Sequence, residues 1–300
     1  TYCPRTFLDM GAMETKLFGR TRKAEEALGI YSKAVSAQAK PALAAAQDGG
    51  VATALLVQAL QSGIIDCAVV TGRDDEWKTV AKVAATAEEI SASAGTKYTI
   101  SNSVDAVRIA LEKGYKKIGF VGTPCQIQGL RKVKLLDEPY QFGQEKIALL
   151  VGLFCMENFD YDALMNGLVK GSFGLSPKDV ARFEIKKGMF RVIDKTGKAH
   201  EVKIEQTDAF TFAGCGPCFD FASELADISV GSVGSAEGWS TILTRTEAGE
   251  KVYAATLAAG AISEKPISEK GLALSKKLAL GKVKRFESKC TEMNVSGIIR

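Results

Sequence analysis

Histidine is nearly missing from this 300-residue chain. The one copy, His200, stands among charged neighbours and is expected to be a surface residue rather than a ligand or an acid–base group. Long apolar runs are missing too. No uninterrupted stretch reaches the roughly 20 residues that a bilayer crossing requires, which argues against an integral membrane protein. A secretory leader is not evident, because residues 1–22 are polar and interrupted; with no initiator Met, Thr1 is not expected to be the native start. Strong charge is also lacking: 39 Lys and Arg against 35 Asp and Glu leave +4. That is too mild for a nucleic-acid binder, yet it favours the approach of an anionic small molecule. There is no internal repeat and no low-complexity segment. What remains, 46% hydrophobic and 25% charged, is an ordinary globular balance of one large or two smaller domains.

Cysteine is present in a telling number. Seven is odd, and a chain this long builds a core without staples, so free thiols in a reducing, cytoplasmic setting are expected. The stretch 214–246, which opens C-G-P-C at Cys215 and Cys218 and runs through a strand over 227–233 into a Gly/Ser turn at 231–235, is the centre of interest. Two thiols do not complete a four-thiolate site. Cys125, in V-G-T-P-C-Q, and Cys155, in L-V-G-L-F-C-M, each follow an apolar run (118–121 and 147–154) that reads as a buried strand. Ligand sites of open α/β sheets gather beyond the carboxyl ends of strands. Cys67, within a strand over 64–70, reads as a small core hydrophobe.

The pattern elsewhere alternates. Helices are expected over 25–37, within 46–63, and over 88–94, 103–113, 125–136 and 160–170, with strands between them from 64–70 onward; Asp48 is the expected N-cap of the second helix and Gly63 its stop. Pro124 starts the helix that carries Cys125. Such alternation predicts an α/β fold, with a mostly parallel sheet covered by helices on both faces. At 183–204 the period changes to two, with turns at 187–188 and 195–197, which predicts an inserted antiparallel β-meander. A strand over 239–245, a helix over 247–259 and a basic last helix over 271–285 follow. Its Lys276, Lys277, Lys282, Lys284 and Arg285 are expected on a solvated face. In domain terms this divides the chain into a tail (1–24), an α/β part (25–182), a meander and site-completing part (183–285) and a C-terminal tail (286–300).

Three chemistries suit these residues. C-x-x-C invites thiol–disulfide exchange, but that motif is expected early in a small βαβ domain, at the start of a long helix, and here it comes late. A four-thiolate site from Cys125, Cys155, Cys215 and Cys218 is not excluded by the long gaps, since doubling a loop adds only about 0.6 kcal/mol. Zinc and an iron–sulfur cluster would each accept such a set. The Gly49–Gly50 helix start at 46–63 leaves backbone N–H groups free for a phosphate or pyrophosphate, and Lys97 lies in a loop where it could face an anionic cofactor.

The segments A-Q-D-G-G-V-A-T-A-L-L, G-T-K-Y-T, G-T-P-C-Q-I-Q-G-L-R, L-V-G-L-F-C-M-E-N-F and C-x-x-C-x-D-F-x-x-E-L-A-D-I-S-V-G-S-V-G-S resemble the β-subunit family of coenzyme F420-reducing hydrogenase. That family includes the electron-input subunit of the F420 dehydrogenase complex of methanogenic archaea, formate dehydrogenase β subunits and the N-terminal half of F420-dependent sulfite reductase. The resemblance runs from about Gly29 to Leu280. It implies an FAD flavoprotein with one 4Fe–4S cluster, moving a hydride between F420 and FAD and electrons between FAD and the cluster. By motif, Cys125, Cys155, Cys215 and Cys218 would be the cluster ligands. Gln47, Asp48, Gly49, Gly50, Thr53, Gly95, Thr96, Lys97, Tyr98, Gly122, Thr123, Pro124, Gln126, Gly234 and Ser235 would form the cofactor-binding set, with Lys97 facing the negative charge of a reduced flavin. The N-terminal Tyr2-Cys3-Pro4-Arg5 resembles the end of a ferredoxin segment. Nothing resembles a nickel, molybdopterin or haem site. The resemblance therefore implies an electron-entry module that works with partner redox subunits carrying further clusters. Such a module would be cytoplasmic or peripheral to a membrane complex. The alternative is a zinc-stabilised or dithiol protein that binds a nucleotide without flavin chemistry.

Overall fold

The computed structural model describes residue 3 and residues 8–135, 143–293 and 298–299. The neighbours of Cys3 that complete the ferredoxin-like tail lie outside the described residues. In chain order the elements are β1 (Leu8–Asp9), α1 (Met10–Phe18), β2 (Lys33–Ala39), α2 (Val51–Gln61), β3 (Cys67–Arg73), β4 (Thr79–Ala84), α3 (Ala87–Ser91), α4 (Ser103–Glu112), β5 (Ile118–Gly122) and α5 (Pro124–Leu135). There follow β6 (Ile147–Leu153), a wide helical segment Ala163–Ser172, β7 (Val180–Lys186), β8 (Met189–Asp194), β9 (Ala199–Lys203), β10 (Ile228–Gly231), β11 (Ser240–Thr244), α6 (Glu247–Ala258), β12 (Ile262–Pro266), α7 (Glu269–Met293) and β13 (Ile298–Ile299).

The main sheet has eight strands in the order β12-β2-β11-β10-β6-β5-β3-β4. Its centre, β10-β6-β5-β3, is parallel, and the flanking pairs are antiparallel. Apolar side chains alternate through it to two cores. Val70, Leu149 and Val151 face α2 and α6, whereas Val69, Phe120 and Leu150 face α4 and α5. That is the pattern of strands covered on both faces. β7, β8 and β9 form the separate antiparallel meander, with turns where the period-two pattern places them. Its inner face builds a third core from Phe183, Phe190 and Val192 with Trp77, Phe159 and Leu164. Edge-on ring contacts fix it, Trp77–Phe183 at 4.9 Å and Phe159–Phe190 at 5.2 Å, each such pair contributing about 0.5–1.5 kcal/mol beyond burial.

Three local expectations are corrected. Residues 25–37 are not a helix: K-A-V-S-A-Q-A forms β2, paired on both sides by β11 and β12, so sheet pairing overrides the helical preference of its alanines. The N-cap of α2 is Gly50, at φ 69°, and no side chain caps it; Asp48 stays outside the helix because only a residue without Cβ enters this left-handed position cheaply. The last helix continues to Met293 rather than ending at Arg285.

Glycine contacts give a stability test. An added Cβ on Gly249 would lie 1.9 Å from the Asp227 carbonyl oxygen, whereas one on Gly281, in α7, meets nothing within 4 Å. Gly249→Ala is expected to cost about 1–3 kcal/mol by overpacking, and Gly281→Ala to gain about 0.5–1 kcal/mol by helix propensity. Urea denaturation of the two variants checks the ranking; equal midpoints would contradict it.

Candidate functional site

The site begins where parallel strands end. The turn after β5 carries Thr123, whose N–H donates to Gln126 Oε1 at 3.0 Å. Pro124, with no N–H to lose, opens α5. The next residue is Cys125, its Sγ 3.3 Å from the Thr123 hydroxyl. Cys155 follows β6, its N–H donating to the Phe221 carbonyl at 2.9 Å. The C-G-P-C segment makes one tight turn, Ala213–Cys215, then enters the non-helical run 219–227, all of it buried. No helix follows Cys218, so the geometry of a dithiol exchange motif is not formed.

Several donors shape this cluster of thiols. The backbone N–H of Asn158 donates to Cys215 Sγ at 3.3 Å, and Asn158 Nδ2 lies 3.9 Å from Cys155 Sγ. Burial pushes the Cys155 thiol well above its ordinary range; Lys282 opposes that shift, while Cys125, Cys218 and Cys215 add to it. Cys215 is raised by burial too, with the Asn158 N–H opposing and Cys218 and Cys125 adding. The thiols thus feel one another, and none is in a disulfide. Among the described residues, no three His, Cys, Asp or Glu groups are arranged to hold a metal ion. A tetrahedral zinc would need its sulfurs only about 3.8 Å apart, from Zn–S bonds of about 2.3 Å. Four sulfurs, with N–H groups directed at two of them, are a donor set that zinc or an iron–sulfur cluster would accept. Cys67 lies apart in the core, pushed up to about 12 by burial.

The basic helix α7 is not uniformly solvated, contrary to expectation. Lys282 is 1% exposed, and its ammonium donates to the carbonyls of Cys155 at 2.5 Å and Asp220 at 2.8 Å. Arg285 donates to Glu157 at 2.7 Å and to the Met156 carbonyl at 2.9 Å. These two residues, three positions apart and so on one face of the helix, both meet the loop after β6, a pairing that composition alone could not reveal. His200 is likewise engaged, 3.0 Å from an Asp194 oxygen and against Phe173.

A cleft of about 720 Å³, lined by no cysteine, is the second feature. Of the residues expected to bind a cofactor, Gln47, Asp48, Gly95, Thr96 and Lys97 line it. Sequence reasoning missed its other charged walls: Arg73 and Lys82 from the β3–β4 hairpin, Arg182, Glu184 and Lys186 from β7, and Glu237 between β10 and β11. Arg182, Glu184 and Lys186 carry one sequence signal, the polar phase of the strand alternation. Lys97 is pulled down to about 8 by burial, then by Arg73 and Lys82. Its ammonium is turned to the carbonyls of Ser93, Ala94 and Gly95 at 2.6, 3.1 and 2.7 Å, at the end of α3.

The remaining expected residues stand elsewhere. An added Cβ on Gly49 would lie 2.7 Å from Ala37 O and Ser240 N, so this glycine is pressed onto the β2–β11 pair. Gly50 and the half-buried Thr53 begin α2. Gly122, Thr123, Pro124 and Gln126 form the Cys125 turn, tied to Ser101 by Gln126 Nε2 at 3.1 Å. Gly234 closes on Gly271, and Ser235 bonds Ser36 at 2.7 Å and Thr241 at 2.8 Å. Tyr98 does not line the cleft. Its carbonyl accepts from Phe159 N–H at 2.8 Å, and its phenol, raised chiefly by burial, also feels Asp48 and Cys155.

Comparison with known proteins bears on both features. Residues 34–108 match the family model for the N-terminal part of the coenzyme F420 hydrogenase/dehydrogenase beta subunit, and residues 115–270 match the one for its C terminus. The beta subunit of the coenzyme F420 hydrogenase of Methanothermobacter thermautotrophicus is 40% identical, over 90% of this chain and 98% of that protein. A subunit of the F(420)H(2) dehydrogenase of Methanosarcina mazei is 36% identical, over 86% of this chain and 73% of its own length. A chain of the F420-reducing NiFe hydrogenase complex from Methanosarcina barkeri superposes with a TM-score of 0.85 at 39% identity, covering 90% of this chain and 95% of that one.

Proposed function

Because this chain belongs to the coenzyme F420 hydrogenase/dehydrogenase beta-subunit family, we propose that it is an F420-dependent oxidoreductase subunit that uses FAD and one 4Fe–4S cluster. Cys125, Cys155, Cys215 and Cys218 would hold the cluster. The observation that supports this most is that Asn158 reaches the sulfurs of both Cys215 and Cys155, and that Cys155 also feels Cys125 and Cys218. Bound there, flavin and cluster would supply the exchange between a two-electron hydride and single electrons.

The chain's own residues would do the rest. Gln47, Asp48 and Gly95–Lys97 would seat the flavin nucleotide in the cleft, and Gly122–Gln126, Gly234 and Ser235 would hold the scaffold around it. Arg73 and Lys82 would draw the phosphate and oligoglutamate tail of F420 toward the same opening, since Arg182 and Lys186 are paired with Glu184 and Glu237. Phe154 and Phe221, their rings 5.1 Å apart, would help to keep water from the segment that carries Cys155. Asn158 N–H and the Thr123 hydroxyl orient two of the sulfurs. No helix among the described residues is long and apolar enough to cross a membrane. The electrons would leave through partner redox subunits, as the solved relative in a hydrogenase complex suggests.

Three outcomes test this reading. Anaerobically purified protein should show flavin bands with a broad cluster shoulder; a colourless chain carrying one zinc would sink it. Cys155→Ser should lose most of its iron, while Cys67→Ser and Cys290→Ser keep it, and equal iron in the Cys155 and Cys67 variants removes the ligand assignment.

With reduced F420, the chain should reduce viologen dyes without oxygen, and should show no hydrogen, formate or sulfite chemistry alone. Fast oxygen consumption without dye reduction would make it a self-sufficient oxidase instead.

Salt dependence follows from the basic rim. Screening acts over roughly 8–10 Å near physiological salt, so kcat/KM for F420 should fall as ionic strength rises. Lys82→Glu should lower it several-fold at low salt, with the two proteins converging at high salt. A flat response in both would mean that only short-range contacts capture F420.

A further inference from the structure

Lys282 is a buried cation with an unusual set of partners. Both oxygens that accept from it, the carbonyls of Cys155 and Asp220, are neutral. The nearby carboxylates are engaged elsewhere. Asp220 accepts from Gln128 Nε2 at 3.0 Å and from the Glu224 N–H at 3.1 Å, and Glu224 pairs with Arg22 at 2.6 Å. Among the described residues, no carboxylate oxygen closes an ion pair on Lys282. An ammonium shut away from water without a counter-charge is strongly disfavoured.

Resting on the reading of the cysteines as cluster ligands, we propose that Lys282 is the built-in counter-charge of the four-thiol site, a positioning residue that favours its more electron-rich state. The geometry suits that role. Lys282 ties together the two loops that deliver Cys155 and Cys218, through the carbonyl of Cys155 itself and that of Asp220, two residues past Cys218. The charge is therefore fixed relative to the sulfurs. Burial keeps solvent from screening it, so an electron added beside it gains more than at a surface. Net charge and hydrogen bonding around the sulfurs are among the features that set a cluster's potential.

The test uses the full chain, purified anaerobically as wild type, K282Q and K282R. K282Q keeps an N–H donor and drops the charge; K282R keeps the charge. Iron per chain is measured first, then the midpoint potential of the cluster by spectroelectrochemistry. K282Q is expected to shift the one-electron equilibrium at least tenfold toward the oxidised form, about 59 mV more negative, and K282R to stay within threefold of wild type. Loss of iron from K282Q with retention in K282R also supports a charge requirement. An unmoved potential in K282Q with full iron overturns this inference alone, and so does loss of iron from both variants, which would assign Lys282 to packing. Wild-type protein devoid of iron overturns the cluster reading, and this inference with it.

Discussion

Asp220, Glu224 and Asp227 are three carboxylates within one run of residues that solvent hardly reaches, and each is met by donors brought from far along the chain. Arg131 reaches Asp227 at 2.8 Å, and the Leu150 N–H reaches its other oxygen at 2.8 Å. Arg22 reaches Glu224, and Gln128 reaches Asp220. Arg245 binds the carbonyls of Leu28, Ile30 and Ala222 and the Ser229 hydroxyl. Removing one partner of such a pair leaves an uncompensated buried charge, at a cost of about 3–5 kcal/mol. The N-terminal segment, α5, β6 and β11 must therefore all be in place before this run can be buried.

The site inherits its placement from that requirement. The run that the charges hold begins immediately after Cys218, and the Phe221 carbonyl takes the Cys155 N–H. Cys125 rides on α5, the helix whose Gln128 and Arg131 bind the same run. From the other side, α7 lays Lys282 and Arg285 onto the loop after β6. Thiols separated by up to 93 positions, from Cys125 to Cys218, are thus held by the one network that keeps the carboxylates paired. The cleft is made differently. Its walls come from the meander and the β3–β4 hairpin, joined by the aromatic core around Trp77, whose indole N–H donates to the Val180 carbonyl at 2.8 Å.

Much of this was legible in the order of residues. The strands that precede Cys125 and Cys155 are short apolar runs, and their alternation with helices announces a sheet covered on both faces; the period-two segment announces the meander. Turn chemistry placed Pro124 and Gly63 correctly. The errors have a common cause. Residues 25–37 resemble a helix because alanine and lysine favour one in isolation, but a strand position between β11 and β12 outweighs a preference of a few tenths of a kcal/mol per residue.

What the sequence determined by itself, then, is most of the strands and helices, the antiparallel meander and the motifs that mark the family, because these depend on local periodicity and on residue types at short spacing. Tertiary structure alone decided which cofactor-like residues share the cleft. Gln47, Asp48 and Gly95–Lys97 line it, whereas Gly234 and Ser235 pack against α7 and β11. It also decided that Lys282 is buried while Lys284, two residues on, is exposed. A helix rotates by about 200° over two residues, so neighbouring lysines face opposite worlds, and only the body packed against α7 tells which of them faces the thiols.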